Sequence, residues 1–355
     1  MTSGNITSRT FATKASTLSF LSAIAICCIH VPWPADSVGA KLFFSARLHA
    51  GALALCFFYL LSGCFIARQA RHPGWWWQTV RRDAVRWLVP YFALPAICVA
   101  LIALLHFDPG YLRSASPLLL FGLKPCRDPY LYPFWFLRTL FLFVLASPVV
   151  VKALSFKRGI PFLSLTLACA ICFIANVVPQ PWRATVETTR LYGFFYYTFN
   201  AIGFFFFSVG IYLGQRPLPS PSSCAIRLCG ITALPLVTLQ VVLTLFGSFE
   251  SGCWDILAAL LASPLLLVYV WFRMPQWKLP RILRGTAFPI YLLHLVVIKA
   301  YCSFRPEKDL GFAECLLLFI LASGIPVFVG KPLRQMTRDF RLTATRRSRR
   351  PLPSP

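Results

Sequence analysis

Acidic residues are scarce in this sequence: 11 Asp and Glu stand against 35 Lys and Arg among 355 residues, and charged residues of both signs make up only 13%. Soluble proteins carry about 25%. A chain with half that share has too little charge to wrap a water-facing surface, so a soluble fold is excluded. Linkers are lacking as well, since none longer than about 25 residues separates the apolar runs. No repeat of fixed period is visible. A Gly-rich phosphate loop, an HEXXH pair and a Ser-His-Asp order are all missing, which leaves P-loop hydrolases, zinc proteases and triad hydrolases without support.

What is present is apolar. Hydrophobic residues reach 57%, mean hydropathy is +0.67, and several runs attain the roughly 18 residues that cross a ~30 Å hydrocarbon layer. In lipid each backbone polar group must find its partner within its own segment, so runs of this length predict helices despite their β-branched and aromatic content. The expectation is an all-α polytopic membrane protein of about ten transmembrane helices. They are placed near residues 17–34, 50–67, 88–106, 134–153, 159–178, 192–214, 224–246, 255–273, 287–303 and 311–330. Pro32 and Pro34 end the first, Pro161 opens the fifth, and Arg227 sits inside the seventh.

The net charge of +24 then reads as orientation. With both termini in the cytoplasm, 24 of the 35 basic residues fall on the inner side, among them Arg81, Arg82, Arg86 and the eight from Lys331 to Arg350. Such a Lys/Arg bias across short loops is what sets topology. A nucleic-acid partner would need those charges gathered on one folded face, and none is expected. Two units result: a membrane domain over 1–334 and a basic cytoplasmic tail over 335–355. The tail's RLTATRRSRRPLPSP stretch has no apolar periodicity and is expected to lie disordered against anionic headgroups. The first span, with Arg9 and Lys14 before it, has the outline of a signal peptide. Removing it would leave an odd number of spans and scatter the positive loops, so it is read as permanent.

The 13 cysteines sit mostly within spans as small hydrophobes. Cys169 and Cys172 form a CxxC, but in mid-span with no second pair and no nearby His, and no metal is expected. Cys126 and Cys253 fall in outer loops and can pair if that side is oxidising.

Polar groups in a bilayer are costly, so each is a candidate site. His30, in CCIHVPW, lies about 24 Å along the helix from Lys14, near the outer rim of the hydrocarbon. Imidazole suits removal of a proton from a hydroxyl at neutral pH. The other histidines are His49 and His106 at outer span ends, His72 in an inner loop and His294 within the ninth span, and periodicity does not choose among the five. In WWWQTVRRDAVRWLVPYF, Arg82 and Arg86 stand four apart, on one helical face, beside Arg81. Such guanidiniums grip phosphates, or merely anchor the helix at the interface with Trp75, Trp76, Trp77 and Trp87. Arg138, in YPFWFLRTLFLF, costs at least about 2.5 kcal/mol inside a span and must face a polar cavity or snorkel outward. Asn176, Asn200, Ser62, Tyr196, Tyr197 and Tyr291 are further polar groups within spans.

In order and spacing these strings resemble the acyltransferase 3 family of bacterial integral-membrane acyltransferases. The resemblance rests on CCIHVPW, FFYLLSGCFIA, the basic patch before LVPYF, YPFWFLRTLFLFVLASPVV, FFFFSVGIYLG and AFPIYLLHLVVI. It implies transfer of an acyl group, most often acetyl, from acetyl-CoA or another acyl-CoA to a hydroxyl of a glycan or lipid-linked saccharide, at the bacterial inner membrane. It places the catalytic histidine at His30, the basic patch at Arg81, Arg82 and Arg86, and the arginine after the WFL string at Arg138. Eleven residues before His30, where the family usually carries Arg or Lys, stands Ser19; Lys14 is the basic residue able to reach along the helix in its place. The expected chemistry has the arginines and Lys14 holding coenzyme A, His30 acting as general base, and Arg138 or Tyr196 stabilising the oxyanion. Direct transfer and a covalent acyl-His intermediate both remain open. The other readings are a transporter or flippase of a glycan or lipid-linked sugar, which would be expected to carry inverted halves and paired broken helices that this sequence lacks, and a non-catalytic membrane scaffold.

Overall fold

The computed structural model describes residues 3–34, 38–89, 91–93, 135–155, 159–177, 200–216, 222–246, 252–303 and 310–348. Among them the chain is all-helical, with no strand. The helices are α1 Ser3–His30, α2 Val38–Gln69, α3 Trp75–Asp83 continued by a π-helical turn Ala84–Leu88, α4 Trp135–Ser155, α5 Gly159–Val177, α6 Ala201–Gln215, α7 Ser223–Phe246, α8 Gly252–Arg273, α9 Ala287–Ser303 and α10 Phe312–Ser348.

Among the described residues four helices are long and apolar enough to cross a membrane: Thr10–His30, His49–Gln69, Phe136–Ser155 and Phe312–Gly330. Five shorter apolar helices accompany them. Most of the expected third span, and the start of the sixth, lie outside the described residues. Burial follows the logic of a lipid solvent. Val149, Ile160, Leu165, Ile231, Leu234 and Phe328 are the most exposed large side chains of α4, α5, α7 and α10. In water such a belt would aggregate; in hydrocarbon it costs nothing.

The bundle is organised around α2, which packs on α1, α4, α6, α7 and α8, most extensively on α6. Close approach explains that pairing. A Cβ on Gly63 would meet the Phe207 carbonyl, and one on Gly210 would meet the Leu60 carbonyl. Small residues at such crossings let two backbones touch where no hydrophobic drive exists between helices in lipid. Asn200, singled out above as a polar group within a span, caps α6 instead: its side chain accepts from Gly203 N at 2.7 Å.

Long-range contacts hold several polar and basic side chains at the end of the bundle opposite His30. Arg68 of α2 lies 3.9 Å over the Phe11 ring of α1. Arg71 donates to Gly214 O at 3.2 Å, and Gln215 donates to Val151 O and Ser155 Oγ, both at 3.0 Å. His30 stands at the far end of α1. The last helix enters the segment read as a tail: α10 runs past residue 334 to Ser348. Between Pro332 and Ser348 that stretch holds five Arg and two Leu, good helix formers, and the next proline is Pro351.

Candidate functional site

The helix carrying His30 ends where Pro32 and Pro34 remove backbone donors. Carbonyls at and just past its end then take donors from elsewhere. Trp33 Nε1 donates to Cys28 O at 2.9 Å, Arg47 Nη1 to Val31 O at 3.1 Å, and the Cys315 thiol to Pro32 O at 3.1 Å. Residues from α1, α2 and α10 thus pin the segment on both sides of His30. The His30 side chain is partly exposed.

Behind it stands His294. The two rings are 5.3 Å apart between centroids, tilted by 32°. His294 is fully buried, and its Nδ1 lies 3.0 Å from Ile290 O, one turn back on α9. A carbonyl only accepts, so this bond puts the proton on Nδ1 and leaves Nε2 with a lone pair. Of the five histidines, then, the fold brings His30 and His294 together. His49 is buried within α2 and His72 is exposed in the turn before α3. His106 lies outside the described residues.

Three side chains spaced three apart on α9 lead from the histidines toward the basic end. His294 is followed by Tyr291, 6.2 Å away between ring centroids. Tyr291 meets Phe136 of α4 at 5.5 Å, and Phe136 meets Tyr59 of α2 at 4.8 Å. One turn further, Phe288 lies 5.3 Å beneath the Arg86 guanidinium. From Phe288 to His294 is about 9 Å along the helix axis. Arg138, two residues after Phe136, shares a side-chain hydrogen bond with Tyr91, so a neighbouring phenol engages it between the two ends. Tyr196 lies outside the described residues, as does Tyr197.

The arginine group sits where the helix type changes. Arg82 precedes the π-helical turn at Ala84–Leu88 and Arg86 lies within it. Such turns recur at functional sites. Arg82 is forked onto Asp83, Nε to Oδ1 at 2.8 Å and Nη2 to Oδ2 at 3.0 Å. The Asp83 side chain is nearly buried. Arg81 is exposed at the end of α3, beside the exposed rings of Trp76 and Trp77.

Lys14 stands elsewhere. Its ammonium donates to Trp271 O at 2.9 Å, in the last turn of α8, where a cation satisfies an orphan carbonyl and the negative pole of the helix. No described contact joins it to the arginines. Ser19 is partly buried on the same helix. Among the described residues no three of His, Cys, Asp and Glu gather where a metal would need them.

Chemically the arrangement offers a base at one end, a row of aromatic side chains, and cations with exposed faces at the other. The residue that reading the sequence left unassigned is His294. Its string AFPIYLLHLVVI was legible, and so was the three-residue spacing of Phe288, Tyr291 and His294; which helix they face was not.

A family model described as an acyltransferase domain matches residues 18–330. No curated protein matches the chain, and no solved structure does.

Proposed function

The chain belongs to the acyltransferase 3 family, and from that membership we propose that it transfers an acyl group, most often acetyl, from acyl-CoA to a hydroxyl of a glycan or lipid-linked saccharide at the bacterial inner membrane. The observation that carries this reading is the course of α9: a single helix carries Phe288 beneath Arg86 and, about 9 Å further along its axis, the ring beside His30. A molecule gripped at its phosphates by the arginine end, and long enough to follow that course, delivers its far end to the histidine. Coenzyme A has this form, with polyanionic nucleotide and thioester at opposite ends of a flexible arm.

In the proposed reaction His30 takes the acceptor proton as the hydroxyl oxygen attacks the thioester carbonyl. The C–S bond breaks, and the departing thiolate recovers the proton from His30. Arg138 and Tyr196 are the proposed oxyanion donors; Arg138 stands on the helix whose Phe136 packs on Tyr291. Arg81 is the cation most open to a phosphate, Arg86 the one nearest the α9 course, and Arg82 presents what Asp83 leaves of its donors. Lys14 enters the donor site only by giving up Trp271 O. The arginine end is cytoplasmic and the His30 end extracytoplasmic in this reading, so the acceptor approaches from outside.

The test is the purified protein in liposomes with [acetyl-14C]acetyl-CoA and an unacetylated bacterial polysaccharide. Release of free thiol with label in the polysaccharide supports acyl transfer. Passage of a labelled lipid-linked sugar across the bilayer, with the thioester untouched, supports the transporter reading instead.

A further inference from the structure

We propose that His294 is a positioning residue for His30: its Nε2 accepts a hydrogen bond from one nitrogen of the His30 ring, which keeps the lone pair on the other nitrogen for the acceptor hydroxyl. The proposal deepens the acyl-transfer reading and rests on it for its catalytic consequence.

Three observations carry it. First, the Nδ1 bond to Ile290 O fixes the His294 tautomer, so Nε2 can accept and cannot donate. Second, Nε2 is fully buried and has no hydrogen-bond partner among the described residues. A polar atom in that condition is costly, the more so where no bulk water reaches. Third, the aromatic ring system next to it is His30, at 5.3 Å between centroids. A ring nitrogen lies about 1.1 Å from its own centroid, so two nitrogens turned toward each other at this spacing would stand roughly 3 Å apart, the length of an N–H···N bond. The terminal torsion of histidine is soft enough for that turn.

The electrostatics give the couple a purpose. As His30 accepts the hydroxyl proton it becomes a cation in a site away from bulk water. A neutral acceptor behind the ring stabilises the developing imidazolium without adding charge. Proton bookkeeping closes on His30 alone. The hydroxyl proton arrives as the C–O bond forms, and it leaves to the thiolate as the C–S bond breaks. His294 gains and loses no proton, and the His30 tautomer is the same at the end as at the start.

The experiment compares His294→Gln with His294→Met in the full-length protein. The two replacements are close in size, and Gln places an amide oxygen where Nε2 stands while Met places nothing that accepts strongly. Expected for Met is a fall in kcat of roughly 30- to 100-fold with KM for acetyl-CoA within about threefold, and for Gln a kcat within about fivefold of wild type. Equal rates in the two variants, or a loss confined to KM, overturn the proposal. Should the Met variant not fold, His294→Asn replaces it, since its amide reaches only the Nδ1 position; the same loss is expected. A second reading needs no turnover. Ring 15N shifts of His30 in detergent should report one tautomer in wild type and a mixture in the Met variant. An unchanged His30 tautomer overturns the proposal even if acyl transfer itself is never detected, and a changed one supports it in that case.

Discussion

The two ends of the bundle hold their polar groups differently. At the basic end many of the cations have protein partners: Lys14 on Trp271 O, Arg68 on Phe11, Arg71 on Gly214 O, Arg82 on Asp83 and Arg216 over Tyr212 at 3.6 Å. At the histidine end three backbone carbonyls are held by side chains while the working ring is left accessible. Cys28, Val31 and Pro32 carbonyls each have a donor, and His30 itself is partly exposed. The contrast teaches that a count of charges marks an end of a membrane protein without marking a ligand site. At the basic end positive charge does structural work first, by closing helix termini, and only what remains serves a phosphate.

The contrast can be broken or sharpened by substitution. The largest effect belongs to His30→Ala. It should lower acetyl transfer by about 10²- to 10⁴-fold, the range of a general base, with coenzyme A affinity unchanged by calorimetric titration. Next comes the α2–α6 seam that ties the two ends into one frame. Gly210→Ala drives a methyl group into the Leu60 carbonyl, and overpacking of this kind costs about 1–3 kcal/mol, visible as a lower Tm in detergent. A surface change such as Leu234→Ala on the lipid-facing side of α7 should leave Tm within about a degree or two.

At the basic end the effects are smaller and graded. Arg81→Gln should weaken coenzyme A binding about tenfold and flatten its salt dependence, as loss of a charged hydrogen bond predicts. Arg82→Gln should do less to binding and more to stability, because it leaves the buried Asp83 carboxylate without its forked partner. Smallest is Lys14→Met. Removal of the α8 terminal contact should cost about 0.3–1 kcal/mol in unfolding, with coenzyme A titrations superimposable on wild type. A tenfold loss of affinity there would return Lys14 to the donor site.

Much of this was legible in the residues. The scarcity of acidic groups and the length of the apolar runs announced a helical membrane protein, and CCIHVPW with its prolines marked where the first helix stops. The order of the strings pointed to the family that the matched residues 18–330 establish. Other features were invisible for physical reasons. A π-helical turn such as Ala84–Leu88 leaves no signature in a pattern read at 3.6 residues per turn. Helix termini are chosen by tertiary contact, so Lys14 gave no sign that it would meet Trp271 on the eighth helix. The pairing of His30 with His294 joins residues near opposite ends of the chain, a proximity that no local spacing encodes. The course of α10 to Ser348 has no apolar stripe to announce it, since a polar segment can continue a helix already nucleated upstream.

The central claim is that a thioester held at the arginine end meets an alcohol at the His30 end, across the bundle. It is tested most directly in sealed proteoliposomes with labelled acetyl-CoA enclosed and the polysaccharide acceptor outside only. Label should appear on the external acceptor in the wild-type protein and be absent with His30→Ala. If acetylation proceeds only when donor and acceptor share a compartment, the two-ended arrangement is contradicted.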